Sequence, residues 1–160
     1  MKILLVCTGN VCRSPMAEAL ARRLLAERGR ADIAVTSAGT AAYAGAPASE
    51  GAYLVALEHG LDLSAHQSQQ LTYDLVAEAE VIFGMSAHHV DRAKSLGGDA
   101  KAHLLGAYAG RMGDDAQVDD PYGGDLEEYR LTHDQLGALL TDAIERLLRE
   151  SGTHADRHDN

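Results

Sequence analysis

Short aliphatic runs alternate along this chain with longer segments in which apolar residues recur every three or four positions. The runs predict buried strands at residues 2–6, 33–38, 81–85 and 102–105. The longer segments predict helices at residues 15–27, 50–59, 71–79, 86–96 and 126–149. Because strands and helices alternate, we expect a single-domain α/β fold, with three α/β/α layers around a four-stranded parallel sheet.

Two segments between these elements are predicted to be loops, and the C-terminus to be a tail. Residues 40–49 contain Ala, Gly and Pro, and residues 106–124 form a longer loop with several Asp residues. Residues 151–160 are polar, so we expect them to be disordered. The predicted domain therefore spans residues 1–150.

The connection between the first strand and the first helix carries the strongest chemical signal. Ser14 is a favourable helix cap and Pro15 fits a first helical turn, which places the connection at a helix N-terminus. Free backbone N–H groups there favour an anion and stabilise a thiolate such as that of Cys7. Arg13 adds a planar fork of donors for phosphate oxygens. We predict a nucleophilic Cys7 in a phosphate-binding loop whose other members are Thr8, Gly9, Asn10, Val11, Cys12 and Ser14.

Composition and charge narrow the class of protein. The 160 residues are 46% hydrophobic, enough for one buried core, and the net charge of −10 argues against nucleic acid or anionic membrane as partners. Both cysteines lie in the predicted loop, which suits a reducing compartment better than a disulfide scaffold. No apolar run has the length of a signal peptide or membrane span. We therefore expect a cytoplasmic protein.

Two motifs together resemble the low-molecular-weight protein tyrosine phosphatase family. Residues 6–15 are V-C-T-G-N-V-C-R-S-P, and residues 120–122 are D-P-Y. The resemblance implies that Cys7 takes the phosphoryl group, that Arg13 binds it, and that Asp120 acts as general acid and then as general base. It implies hydrolysis of phosphotyrosine in a protein by a monomer with no metal or other cofactor. A cognate bacterial tyrosine kinase is a further implied partner.

The same resemblance implies roles for residues that support the loop. Asn10 would hold a left-handed backbone conformation, which Asn tolerates well. Ser14 would support the thiolate through its hydroxyl. Ser37 and His66 would hydrogen bond to the loop asparagine. Cys12 would be the partner of the nucleophile in reversible oxidation, which protects it from over-oxidation.

The resemblance also implies a substrate pocket walled by Val11, Tyr43 and Tyr122, a slot that suits a flat aryl phosphate. The chain has eight histidines, among them the adjacent pair His88 and His89. Neighbouring helical residues point roughly 100° apart and rarely share a metal ion. The pair is therefore predicted to be exposed on its helix.

Three alternatives remain open. One bacterial branch of the family resembles protein-arginine phosphatases and carries Thr where this chain has Val11. That branch also favours D-P-F-G-G, and residues 120–124 here are the similar D-P-Y-G-G. A missing hydroxyl would serve a polar guanidinium less well, which favours phosphotyrosine. Arsenate reductase on this fold uses three cysteines, and this chain has two. A non-catalytic phosphate-binding or redox-sensing module would not need the complete set of Cys7, Arg13 and Asp120.

Overall fold

Four parallel strands form one sheet in the computed structural model, which describes residues 1–158. The sheet order is β2–β1–β3–β4, where the strands are β1 (Lys2–Cys7), β2 (Ala34–Gly39), β3 (Val81–Gly84) and β4 (Ala102–Leu104). In the central strand, Leu5 pairs with Ser37 on one side and Phe83 on the other. The predicted α/β fold with a four-stranded parallel sheet is confirmed.

Helices cover the sheet between the strands. Within the described residues they are α1 (Arg13–Glu27), α2 (Glu50–Glu58), α3 (Tyr73–Glu78), α4 (Ala87–Ala93), α5 (Leu105–Tyr108) and α6 (Leu126–His158). A wide turn over Lys94–Gly98 follows α4, and Gly97 reverses the chain there with φ of 101°. The helix predicted to about residue 96 therefore runs as α4 to Ala93 and continues as a π-helical turn, which loses helical geometry at Leu96 and Gly97.

The strands are apolar almost throughout because both faces of the sheet are buried. Successive side chains of a strand point to opposite faces. Ile3 and Leu5 of β1 accordingly pack into one core with α1, α2 and α6, whereas Leu4 and Val6 pack into a second core with α3 and α4. The apolar stripe of α6 closes the first core through Leu136, Leu139, Leu140, Ala143, Ile144 and Leu147.

Two predicted irregular segments contain helix. The predicted loop of residues 106–124 includes most of α5 and a short 3₁₀ turn at Gly113–Ala116. Helices of four residues are too short to show a hydrophobic period. The polar tail predicted from residue 151 continues α6 as far as His158, because extending a formed helix by one residue is much easier than starting one. Residues 159–160 lie outside the described residues.

The topology determines where a ligand can bind. From β1 the chain passes to β2 on one side and then crosses to β3 on the other side of β1. In open α/β sheets, ligands bind beyond the carboxyl ends of the strands where the strand order reverses. That position here is occupied by the segment between β1 and α1. No helix among residues 1–158 has both the length and the apolar character needed to cross a membrane.

Candidate active site

The segment between Cys7 and Arg13, called here the phosphate loop, turns tightly at a left-handed asparagine. Asn10 has φ of 57°, and no other non-glycine residue described has a positive φ. Helix α1 begins at Arg13 with Cys12 as the preceding cap residue. The predicted cap at Ser14 is therefore wrong. Its hydroxyl lies instead within the helix, 2.9 Å from Cys7 Sγ.

Asn10 is fully buried and is held on all sides by hydrogen bonds. Its Nδ2 donates to Ser14 Oγ at 2.8 Å and to Ser37 Oγ at 2.9 Å, and its Oδ1 accepts from the Gln69 backbone N–H at 2.9 Å. His66 Nε2–H donates to the Asn10 carbonyl oxygen at 2.7 Å. These bonds stabilise a backbone conformation that is otherwise unfavourable. The structure thus brings Ser37 and His66 to the loop asparagine.

The bond from Asn10 also determines which way the Ser14 hydroxyl points. Since Ser14 Oγ accepts a hydrogen bond from Asn10 Nδ2, its own O–H is free to donate to Cys7 Sγ. An ionised Cys7 can only accept, so this hydroxyl stabilises the thiolate. Cys7 itself is buried at the carboxyl end of β1, with 2% of its surface exposed.

Gly39 allows the end of β2 to lie close against the phosphate loop. A Cβ atom at this position would collide with the Thr8 carbonyl oxygen. The close approach lets the backbone N–H groups of Thr40 and Ala41 donate to the carbonyl oxygens of Cys7 and Thr8, both at 2.9 Å. The end of β2 therefore satisfies two carbonyl groups of the phosphate loop.

Arg13 is buried, and both ends of its guanidinium are held in place. Nη1 donates to the Val118 carbonyl at 2.9 Å and to Ser86 Oγ at 3.4 Å, while Nη2 donates to Thr8 Oγ1 at 3.4 Å. Asp120 Oδ2 lies 3.7 Å from Nη2. A planar fork fixed in this way is ready to bind two phosphate oxygens without reorganising.

Asp120 is half-exposed and its carboxylate is oriented by the loop that carries it. Oδ1 accepts from the Tyr122 backbone N–H at 3.0 Å. A cavity of about 350 Å³ joins Asp120 to the phosphate loop. Nine of the predicted site residues line it, namely Cys7, Thr8, Gly9, Val11, Cys12, Arg13, Tyr43, Asp120 and Tyr122. The neighbouring Asp119 lies outside this cavity, which supports the choice of Asp120 from the sequence.

Cys12 is buried and is held as a thiol. Its Sγ lies 3.2 Å from Ser49 Oγ and 3.4 Å from the Tyr129 hydroxyl. Burial raises the pKa of Cys12 above its ordinary value. Tyr129 reaches this position because Gly51 of α2 has no side chain, and a Cβ there would overlap the tyrosine ring. The role of Cys12 as a redox partner stays a prediction.

His89 is a site residue that the sequence analysis missed. It was predicted to be exposed, but it is fully buried beside the phosphate loop, with Nε2 2.8 Å from Thr8 Oγ1. Its Nδ1 accepts from the Ser86 backbone N–H at 3.0 Å. Burial, followed by the charge of Arg13, lowers the pKa of His89 to about 3. The available signal was its place three residues after Ser86, a position whose side chain commonly bonds back to a helix cap.

Among the described residues, one group of potential metal ligands comprises His59, His133 and Asp134. The two imidazole rings stack, with centroids 4.1 Å apart and planes inclined by 24°. Lone pairs of imidazoles lie in the ring planes, so in a stacked pair they run side by side rather than toward one ion. None of the three residues lines the cavity at the phosphate loop.

Comparison with known proteins agrees with this geometry. Residues 2–153 match the family model "Low molecular weight phosphotyrosine protein phosphatase". A protein-arginine-phosphatase of Geobacillus stearothermophilus is 36% identical over 93% of this chain and 97% of its own length. A probable low molecular weight protein-tyrosine-phosphatase, EpsP, of Ralstonia solanacearum is 38% identical over 75% of this chain and 77% of its own.

The likeness extends to solved structures. One is the YwlE arginine phosphatase in a Cys-to-Ser mutant with a phosphorylated active-site serine. It is 35% identical, superposes with a TM-score of 0.84, and the match covers 92% of this chain and 95% of that one. A serine phosphorylated in place of the active-site cysteine supports a cysteine nucleophile in this fold. The chain thus belongs to the low molecular weight phosphotyrosine protein phosphatase family, as its loop motif predicts.

Proposed function

We propose that this protein is a protein tyrosine phosphatase that hydrolyses phosphotyrosine through a phosphocysteine intermediate on Cys7. The observation that carries the proposal is the cavity in which Cys7, Arg13 and Asp120 meet beneath two exposed tyrosines. Cys7 supplies the nucleophile, the phosphate loop supplies donors for the phosphoryl oxygens, and Asp120 supplies a proton.

The first step transfers the phosphoryl group to the enzyme. The Cys7 thiolate attacks phosphorus, an S–P bond forms, and the bond from phosphorus to the tyrosine oxygen breaks. Asp120 gives its proton to the departing oxygen, so the product leaves as a neutral phenol. Arg13 and the backbone N–H groups of the phosphate loop bind the equatorial oxygens, whose charge is stabilised in the transition state.

The second step restores the enzyme. Asp120, now ionised, takes a proton from water, and the resulting hydroxide attacks phosphorus. The S–P bond breaks, inorganic phosphate leaves, and Cys7 returns to the thiolate that the Ser14 hydroxyl stabilises. Atoms and charge balance with water as the only co-substrate.

The rim of the cavity supports an aromatic leaving group. Tyr43 and Tyr122 are 87% and 70% exposed, and both line the cavity. Val11 of the phosphate loop adds an aliphatic surface to the same cavity. A phenyl ring can stack or pack on such walls. A guanidinium can also stack on tyrosine, but it needs hydrogen-bond acceptors as well, and the Val11 side chain supplies none.

Phosphoarginine is the second candidate, because the adjoining surface offers acceptors. A second cavity, of about 520 Å³, shares Arg13 and Asp120 with the first and is also lined by Asp114 and Asp119. Carboxylates suit the guanidinium of an arginine substrate. A relative named protein-arginine-phosphatase also matches over 93% of this chain.

The test compares hydrolysis of two peptides of the same sequence, one carrying phosphotyrosine and one carrying phosphoarginine. We expect wild type to have the higher kcat/KM for phosphotyrosine, and Val11→Thr to shift the ratio toward phosphoarginine. Val11→Ala is the matched control, because it changes the wall without adding a hydroxyl. A wild-type preference for phosphoarginine would overturn the proposal in favour of the second candidate.

We further infer that a phosphorylated protein is the partner of this site, and that residues 1–150 make up the phosphatase domain. The tyrosines at the rim stand at the surface, where a side chain projecting from a folded protein can reach them. The cognate kinase, the monomeric state and the cytoplasmic location stay predictions from the sequence.

A further inference from the structure

His89 contacts the phosphate loop from a separate element. It lies in the first turn of α4, which follows β3 at the same edge of the sheet as the phosphate loop. Gly84 at the end of β3 makes the approach possible, since a Cβ there would lie 3.1 Å from His89 Cβ and 3.0 Å from the Val90 nitrogen. The packing of α4 on β3 therefore brings the imidazole to Thr8.

Both ring nitrogens of His89 are used, and this identifies the tautomer. Nδ1 faces the Ser86 backbone N–H at 3.0 Å and can only accept from it. The proton of the neutral ring therefore sits on Nε2, which donates to Thr8 Oγ1 at 2.8 Å. His89 thus ties the start of α4 to the second residue of the phosphate loop.

The two residues that His89 binds are also two of the residues that hold Arg13. Thr8 Oγ1 accepts from Arg13 Nη2 at 3.4 Å, and Ser86 Oγ accepts from Nη1 at 3.4 Å. One imidazole thus fixes the supports at both ends of the guanidinium fork. Because Thr8 Oγ1 accepts hydrogen bonds from both His89 and Arg13, its position helps to orient Nη2.

We infer that His89 is a positioning residue for phosphoryl transfer, which orients the Arg13 guanidinium through Thr8 and Ser86. The inference rests on the phosphatase function proposed above for its kinetic consequence. His89 touches no reacting atom, and its effect on the rate comes from the geometry of Arg13. Guanidinium placement matters most in the transition state, so loss of the support lowers kcat more than it raises KM.

Two substitutions separate the bonds that His89 makes. In His89→Asn the side-chain oxygen occupies the place of Nδ1 and still accepts from Ser86, but the side chain is too short to reach Thr8. In His89→Gln the longer amide carries a donor toward the place of Nε2. Asp91→Asn is the matched control, because Asp91 is exposed on the same helix and lines neither cavity.

The experiment measures kcat and KM on a phosphotyrosine peptide, inhibition by inorganic phosphate, and the melting temperature. We expect His89→Asn to lower kcat by roughly 10- to 100-fold, the range that small misplacements of catalytic groups produce, and to weaken phosphate inhibition. His89→Gln should recover most of the lost kcat, and Asp91→Asn should match wild type. Thr8→Val should lower kcat as much as His89→Asn does, and the double variant should show no further fall in kcat.

Two results would overturn the inference. One is a kcat for His89→Asn within twofold of wild type. The other is an equal loss in His89→Asn and His89→Gln that follows a fall in melting temperature, which indicates a purely structural role. Failure of the proposed function is recognised separately, because wild type would then not hydrolyse phosphotyrosine. Calorimetric binding of inorganic phosphate would still report on Arg13 in that case.

Discussion

The floor and the rim of the cavity differ in how firmly their side chains are held. The floor is the phosphate loop, which is held by hydrogen bonds to several elements, as Asn10 with four and Arg13 with three illustrate. The rim consists of side chains from two separate loops, and Tyr43 and Tyr122 are 87% and 70% exposed. Few contacts constrain the rim, whereas the floor is held from several directions.

The difference matches what each region has to recognise. A phosphoryl group has one shape and one charge distribution, so a preorganised floor binds it without cost in reorganisation. The leaving group belongs to a protein substrate, whose surface varies. An exposed rim can adapt to it, and its contacts act mainly in binding. We therefore expect changes in the floor to act on chemistry and changes in the rim to act on substrate choice.

Replacing the nucleophile tests the floor most severely. Cys7→Ser should lower kcat by at least roughly 10⁴-fold, because removal of a covalent nucleophile costs most of the catalysed rate. Binding of inorganic phosphate should persist, since Arg13 and the loop N–H groups remain. Steady-state rates and calorimetry provide the two readouts. Retained turnover would show that Cys7 is not the nucleophile.

Asp120 lies between floor and rim. The loss of rate on replacing it should depend on the leaving group of the substrate. Asp120→Asn should slow hydrolysis of phosphotyrosine by roughly 10²- to 10⁴-fold, the usual range for a general acid. Phosphorylation of the enzyme by 4-nitrophenyl phosphate should suffer much less, because its phenol leaves without a proton. Asp115→Asn, in the same acidic loop, is the control. If Asp120→Asn slowed the burst phase equally with phosphotyrosine and with 4-nitrophenyl phosphate, Asp120 would not be the general acid.

The rim should respond through KM. Tyr43→Ala and Tyr122→Ala should each reduce kcat/KM for a phosphotyrosine peptide by roughly 10-fold, because an aromatic contact contributes about 1 kcal/mol. Inhibition by inorganic phosphate should not change. Tyr73→Ala is a suitable control, because Tyr73 is 66% exposed and does not line the cavity. A fall in kcat alone would contradict the division between floor and rim.

Lowering the pH should reduce the free energy of unfolding, because His89 is held neutral in the folded protein. The pKa of His89 is lowered to about 3 by burial and by Arg13 and His88, against 6.5 for an ordinary histidine. Above pH 6.5 the ring is neutral in both states, and below it only the unfolded chain takes up the proton. The free energy of unfolding then falls as pH falls, by about 1.4 kcal/mol per pH unit.

Urea unfolding at pH 7.5 and pH 5 measures this effect. Between these values wild type should lose roughly 2 kcal/mol more than His89→Asn, which has no group to titrate at that position. His133, whose pKa burial lowers to about 4, contributes in the same direction and is present in both proteins. If the free energy of unfolding fell equally in wild type and His89→Asn between pH 7.5 and pH 5, His89 would not be held neutral in the folded protein.

The sequence predicted the four strands, the phosphate loop and the walls of the cavity, because those signals are local or carried by motifs. It missed His89, since the choice between burying His88 or His89 depends on how α4 rotates against β3. It predicted a cap at Ser14, whose hydroxyl is instead used by Asn10 and Cys7. These features depend on contacts between elements that lie far apart in the chain, which hydrophobic periodicity does not record.

Transfer of the phosphoryl group through Cys7 can be tested by trapping the covalent intermediate. Asp120→Asn would be mixed with 4-nitrophenyl phosphate and quenched in acid, since loss of the base slows hydrolysis of the intermediate. Mass spectrometry of the digested protein then locates the phosphoryl group. We predict one phosphoryl group on Cys7. Phosphate on another residue, or rapid turnover with no phosphoenzyme at Cys7, would contradict the account.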